Sequence, residues 1–219
     1  MLFNLNKKGT LIVTIGRSGS HLLGDVISNQ LTCLGIQHIN HKEYFLKHNG
    51  PLDWPGHHNF YKSKISRLLK DTAYTICQIQ DFYSKVYLSK YYKELFDQYH
   101  IVVLERQDQL VHFFSKQLLH NFHNVIPTHT IKGINDNFDL LKNQSKIKIS
   151  IDDVFQFYSE KLLLDLFDRD VTVVYEDMIL WEEVVKSKYK KNQYPVSFDQ
   201  LFDNFEEIAD LFNSPITHI

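Results

Sequence analysis

Thr10-Leu-Ile-Val-Thr-Ile15-Gly16-Arg17-Ser18-Gly19-Ser20 is the stretch whose reading decides the fold. Thr10 to Ile15 has the β-branched, apolar make-up of a short buried strand. Gly16 and Gly19 open backbone angles that other residues avoid. From Ser20 onward, Leu22, Leu23, Val26, Ile27 and Leu31 recur at helical spacing. A strand, a tight glycine turn and a helix N-terminus together make a cradle for an anion, because free amides and the positive end of the helix dipole face the turn. Arg17 and the hydroxyls of Ser18 and Ser20 are expected to add donors suited to a phosphate or sulfate group.

Working outward, Gly35 is placed to end the first helix. A short strand is expected over Ile36–Ile39, followed by His38-Ile-Asn-His41-Lys-Glu43-Tyr-Phe45 and a loop with Gly50, Pro51, Pro55 and Gly56. Helices are expected near 58–70 and 83–97, with a strand at Tyr74–Ile79 between them. His100-Ile-Val-Val-Leu-Glu-Arg106 reads as a strand running into a turn, and Asp108 as the N-cap of the next helix, with Leu110, Phe114 and Leu118 as its stripe. Residues 123–147 are polar and read as a long loop. Ser150 with Asp153 forms a capping box for a helix to about Phe167. Val171–Tyr175 is a strand, and Ser197 with Gln200 is expected to cap a last helix through Phe212. This alternation predicts an α/β domain, a P-loop-like three-layer sandwich with a mostly parallel central sheet flanked by helices. Arg17, Glu43 and Arg106 are each expected just after a strand, where such sheets bind ligands.

Composition narrows the options. A chain of 219 residues, 43% hydrophobic and 23% charged, suits a single globular domain over 1–219. A net charge of −2 argues against broad nucleic-acid binding. Cys33 and Cys77 are too few for a disulfide scaffold, and no apolar run or leader pattern points to a membrane span or export, so a cytoplasmic protein is expected. Twelve histidines occur without His-Glu-x-x-His or Cys-x-x-Cys spacing, so no metal site is expected. The four arginines are Arg17, Arg67, Arg106 and Arg169, in a chain that otherwise favours lysine. An arginine kept against that bias is a candidate for fork geometry that lysine cannot supply.

The loop lacks the Gly-Lys-Ser/Thr ending of the nucleotide triphosphatase loop. Arg17-Ser-Gly-Ser20 instead resembles the 5′-phosphosulfate loop of sulfotransferases, which use 3′-phosphoadenosine 5′-phosphosulfate (PAPS) as donor and release 3′-phosphoadenosine 5′-phosphate (PAP). Val103-Leu-Glu-Arg106-Gln-Asp108, with Ser115 nine residues after Arg106, resembles the family's 3′-phosphate signature, with the longer interval of the bacterial trehalose sulfotransferase-like subgroup. Val173-Val-Tyr175-Glu176-Asp177-Met178 resembles a third family feature, in which Glu176 or Asp177 would cap the next helix and hold the cofactor loop. The resemblance implies that Gly16, Arg17, Ser18, Gly19, Ser20 and His21 cradle the 5′ end of PAPS, and that Arg106 and Ser115 hold its 3′-phosphate. Arg17 would also stabilise the leaving group. Glu43, in Glu43-Tyr44-Phe45, would be the base, with His41 as runner-up and His38 behind it. The implied acceptor is a hydroxyl on a small molecule or carbohydrate. Two rivals stand beside this reading: a kinase-like phosphate-loop enzyme, and a sulfotransferase-fold binding protein without catalysis.

Overall fold

The computed structural model of the chain describes residues 1–7, 9–36, 43–44, 74–79, 98–121, 145–166, 168–181, 184 and 197–213. Its contacts gather into two compact units where the chain length suggests one domain: residues 1–107 with 160–190, and residues 108–159 with 191–219.

The first unit is built on strand β1, Thr10–Thr14. All five of its residues are buried, so both faces of the strand are covered. That is the setting in which a parallel strand reads as a continuous apolar run. Helix α1, Ser20–Cys33, follows it. Then come β2, Glu43–Tyr44, β3, Tyr74–Gln78, and β4, His100–Glu105. After helix α2, Gln109–Asn121, and helix α3, Ile151–Asp165, strand β5, Val171–Val174, returns to the sheet and runs straight into the short helix α4, Tyr175–Met178. The sheet order is β2-β3-β1-β4-β5, and all of its pairings are parallel. The α/β architecture with a parallel sheet flanked by helices is therefore present.

Register fixes what lies side by side. Thr14 is opposite Gln78 on one flank and Leu104 on the other. From β1 the chain passes to β2 and β3 on one side, and from β4 to β5 on the other. The carboxyl ends of β1 and β4 thus flank the point where the winding direction reverses, the usual ligand crevice of open α/β sheets.

Helix α1 is pressed onto the sheet by Leu22, Leu23, Val26, Ile27 and Leu31, all buried in one core with Ile12, Tyr74, Ile76, Val102 and Leu104. Gly24 lets the helix approach β3: a Cβ there would fall against the ring of buried Tyr74, within 2.7 Å of Cε1. The helix ends as Gly35 foretells. Gly35 takes a φ of 76°, its N–H donates to the Thr32 carbonyl at 2.9 Å, and the Ile36 N–H donates to the Leu31 carbonyl at 3.0 Å. Those two bonds are the paired closure of a glycine-terminated helix. Ile36 is therefore the closing residue of α1; residues 37–42 lie outside the described part, as do the helices expected near 58–70 and 83–97 and residues 123–144 of the loop expected over 123–147.

The second unit has its own aromatic core. Phe113 of α2 meets Phe157 of α3 and its neighbour Phe114, and Phe114 meets Phe198, Phe202 and Phe205 at ring distances of 5.0–5.3 Å. Asp108 caps α2, accepting the Val111 N–H at 2.9 Å. Ser150 and Asp153 form the reciprocal box at the start of α3, each side chain accepting the other's N–H at 3.2 Å. Ser197 opens only a 3-10 turn, Phe198–Gln200, with no side-chain cap. The last helix, α5, is Phe205–Asn213, preceded by Asn204, whose side chain bridges both polar groups of the Ile149 backbone. The expected cap at Ser197 is thereby corrected: aromatic packing of Phe198 and Phe202 onto Phe114 breaks the segment into two pieces.

Replacing Gly24 by alanine should overpack the Tyr74 contact and lower stability by about 1–3 kcal/mol, less the roughly 1 kcal/mol of gained helix propensity. Urea denaturation measures it, and trimming the ring in a Gly24→Ala/Tyr74→Leu double variant should recover part of the loss. A midpoint in the single variant that rises by the helix-propensity gain alone would contradict the close packing.

Candidate functional site

The loop between β1 and α1 is shaped from inside. The buried Thr14 hydroxyl donates to the Leu104 carbonyl at 2.9 Å, tying the end of β1 to that of β4. The Ser18 hydroxyl touches that of Thr14 and donates to the Ile15 carbonyl at 2.9 Å. Ser18 is wholly buried. Its hydroxyl is thus spent on holding the turn, which corrects the expectation that it would meet an anion. The left-handed backbone also falls elsewhere than expected. Gly19 has it, with a φ of 91°, but its companion is Arg17 at 72° and not Gly16. A non-glycine residue in that region costs about 1–2 kcal/mol, and such strain collects where a side chain is needed in one direction.

Gly19 is the N-cap of α1, and its carbonyl accepts the N–H groups of Leu22 at 2.9 Å and Leu23 at 3.1 Å. No side chain caps this end, and no acidic residue stands in its first turn. Ser20 and His21 open the helix, both partly exposed. The positive end of the α1 dipole is therefore left unneutralised by described carboxylates of its own first turn.

Arg106 follows β4 directly. Its Nη1 donates to the Arg17 carbonyl at 3.4 Å, so the two arginines predicted to bind the donor meet across the crevice. Its guanidinium carbon lies 4.6 Å from the ring centroid of Tyr175, and its Nε lies 3.8 Å from Glu176 Oε1. That Nε is buried and makes no hydrogen bond among the described residues. Glu176 Oε2 accepts the Gln107 N–H at 2.9 Å. Tyr175 is the first residue of α4 and not the last of the strand; its ring packs so closely on Gly19 that a Cβ there would sit 2.6 Å from Cδ2 and Cε2. The third strand end thus holds both others: Tyr175 against the first loop, Glu176 at the second strand end, with Asp177 left exposed.

No family model, curated protein or solved structure matches the chain. The assignment of function therefore rests on the geometry and on the motif resemblance.

Behind Arg106 stands an ion network. Glu105 accepts from Lys161 Nζ at 3.0 Å and from Arg169 Nη1 at 2.7 Å, while Arg169 also donates to the Leu164 carbonyl at the end of α3. Desolvation works against the Lys161 charge, but hydrogen bonds and charge attraction from Glu105 and Asp165 outweigh it and raise its pKa. Arg169 is thereby a structural arginine; Arg67 lies outside the described residues.

The remaining expected residues separate. Ser115 belongs to the second unit, on α2, with its hydroxyl buried and unpartnered among the described residues. Glu43 does not follow a strand: it is in β2, opposite Thr75, which is itself opposite Leu11. Its backbone is thus level with a residue three places before Thr14, about 10 Å short of the strand-end crevice at roughly 3.3 Å per residue. The pairing to β3 takes into a strand the residue that the sequence places just after one. His38 and His41 lie outside the described residues. Among the described residues no three histidine, cysteine or acidic side chains gather to hold a metal, and no helix is long and apolar enough to cross a membrane.

Stability separates the strain at Arg17 from its side chain. Arg17→Gly and Arg17→Ala both remove the guanidinium, but only glycine is at ease with this φ. Arg17→Gly should be the more stable of the two by about 1 kcal/mol in urea denaturation. Equal stability of the two variants would mean that the left-handed turn is not held at this residue.

Proposed function

We propose that the first unit binds PAPS and that the protein moves its sulfuryl group to a hydroxyl acceptor by in-line displacement. The observation that carries this reading is the meeting of Arg106 with the Arg17 carbonyl at the reversal point of the sheet, beside an uncapped helix N-terminus. A 5′-phosphosulfate suits the α1 end of such a crevice, where amides and a dipole favour negative charge. A 3′-phosphate suits Arg106, whose buried Nε has no hydrogen-bond acceptor among the described residues. That Ser115 shares in holding the 3′-phosphate is what the resemblance alone implies.

In this reading the α1 N-terminus and Arg17 stabilise charge as it builds on the leaving phosphate oxygen. The acceptor oxygen forms its bond to sulfur as the bond from sulfur to that phosphate oxygen breaks, and a base takes the acceptor's proton. The resemblance gives that task to Glu43, with His41 next. The β2 register places the Glu43 backbone short of the crevice. A carbohydrate hydroxyl is the acceptor class that the resemblance favours. The kinase-like alternative has the same strand–loop–helix frame but requires a loop lysine, and none occurs between Gly16 and Ser20.

Calorimetric titration with PAP tests the reading, with AMP and magnesium-ATP as comparison ligands. Micromolar PAP binding is expected, weakened at least tenfold in Arg17→Ala and Arg106→Ala and several-fold in Ser115→Ala, as loss of charged and neutral hydrogen bonds implies. Where PAP binding holds, Glu43→Gln should keep it and, if Glu43 is the base, lower turnover by about 10²–10⁴. A preference for magnesium-ATP, or no binding of PAP, would overturn the sulfotransferase reading.

A further inference from the structure

The remaining question is how a single arginine after β4 is kept in position. We infer that Tyr175 is a positioning residue that fixes the plane of the Arg106 guanidinium toward a bound anion, an inference that rests on the PAPS reading for the identity of the anion only. Tyr175 touches both halves of the crevice. One edge of its ring lies on Gly19, so close that no side chain fits there. The same ring lies 4.6 Å from the Arg106 guanidinium carbon. The adjoining Glu176 takes the Gln107 N–H, which pins the backbone immediately after Arg106. Met178, fully buried in α4, anchors the short helix and lies 3.5 Å from the same point beside Gly19.

Arginine on an aromatic face gains from the ring quadrupole, more so when partly desolvated as Arg106 is here. The larger consequence is preorganisation. A long side chain that is already ordered does not lose its rotamer freedom when the ligand arrives. Glu176 alone would not achieve this, since at 3.8 Å from Nε its carboxylate is beyond hydrogen-bonding distance. Nor would the Arg17 carbonyl at 3.4 Å, a long single bond to one nitrogen. Tyr175 is the contact that covers the guanidinium with a ring face, 4.6 Å from its carbon to the centroid. It also links the guanidinium to the loop, since the ring that Arg106 lies over is the ring that limits position 19 to glycine.

Two measurements test this. The first needs no nucleotide. With only four arginines in the chain, their Nε–H resonances can be assigned by Arg→Lys replacement. The Arg106 Nε–H should be displaced upfield by the ring in wild type and in Tyr175→Phe, and should lose that displacement in Tyr175→Leu. An undisplaced resonance in wild type overturns the inference outright, whatever the protein binds. The second is the affinity ratio of PAP to AMP. Tyr175→Phe should keep it. Tyr175→Leu should reduce PAP affinity about tenfold more than AMP affinity, and that extra loss should vanish in an Arg106→Ala background. Equal loss of PAP and AMP, or additive loss with Arg106→Ala, would make Tyr175 a general packing residue and overturn the positioning role. A displaced resonance with no PAP binding in wild type would instead overturn the PAPS reading and leave the clamp on Arg106 standing.

Discussion

The turn that leaves β1 is the constraint on which the rest of the first unit depends. The chain must pass from a strand buried on both faces to a helix lying on the sheet within five residues, Ile15 to Gly19. It does so by placing two residues, Arg17 and Gly19, in the left-handed region and by spending two hydroxyls, of Thr14 and Ser18, inside the turn. Because Thr14 also bonds the Leu104 carbonyl, the shape of the turn is tied to the neighbouring strand end. Arg106 then begins its run beside the same crevice. The α1 core of Leu22, Leu23, Val26 and Ile27 keeps the helix end from drifting, and the ring of Tyr175 limits how the turn can relax.

Much of this was legible in the sequence, and the reasons are specific. Thr10–Ile15 has no polar alternation, so it could only be a strand covered on both faces. Gly35 followed by Ile36 fits the closure of a helix because only glycine takes that angle cheaply and an apolar residue must follow. Asp108 and the Ser150–Asp153 pair are local devices that act over three residues, and both form as spaced. The parallel sheet followed from alternating elements. What the sequence could not convey was anything set by tertiary partners. A serine in a glycine turn looks like a ligand donor, yet Ser18 faces inward because Thr14 and the Ile15 carbonyl receive it. Ser197 looks like a cap, yet the aromatic core claims the residues after it. Glu43 looks like a residue that follows a strand, and the pairing of β2 with β3 makes it part of one.

The scarcity of arginine sharpens the picture of the site. Of the three in the described residues, Arg169 is committed to Glu105 and the end of α3. The other two meet across the crevice: Arg17 through the carbonyl of its strained backbone, and Arg106 with its guanidinium over a ring while bonding that carbonyl. A planar, always-charged group explains the choice at Arg106. Tyr175 and Glu176 were visible in the sequence only as part of a resemblance. Their partners, Gly19, Arg106 and Gln107, are far away along the chain, and nothing in a linear pattern reports a contact of that kind.

The central claim is that the crevice between the ends of β1 and β4 is where this protein receives its nucleotide. Hydrogen exchange with and without PAP addresses that location directly. The account predicts slowed exchange of the amides of residues 16–21 and 106–107, with the strands of the sheet unchanged. Slowed exchange confined to other segments, or none at all under saturating PAP, would contradict it.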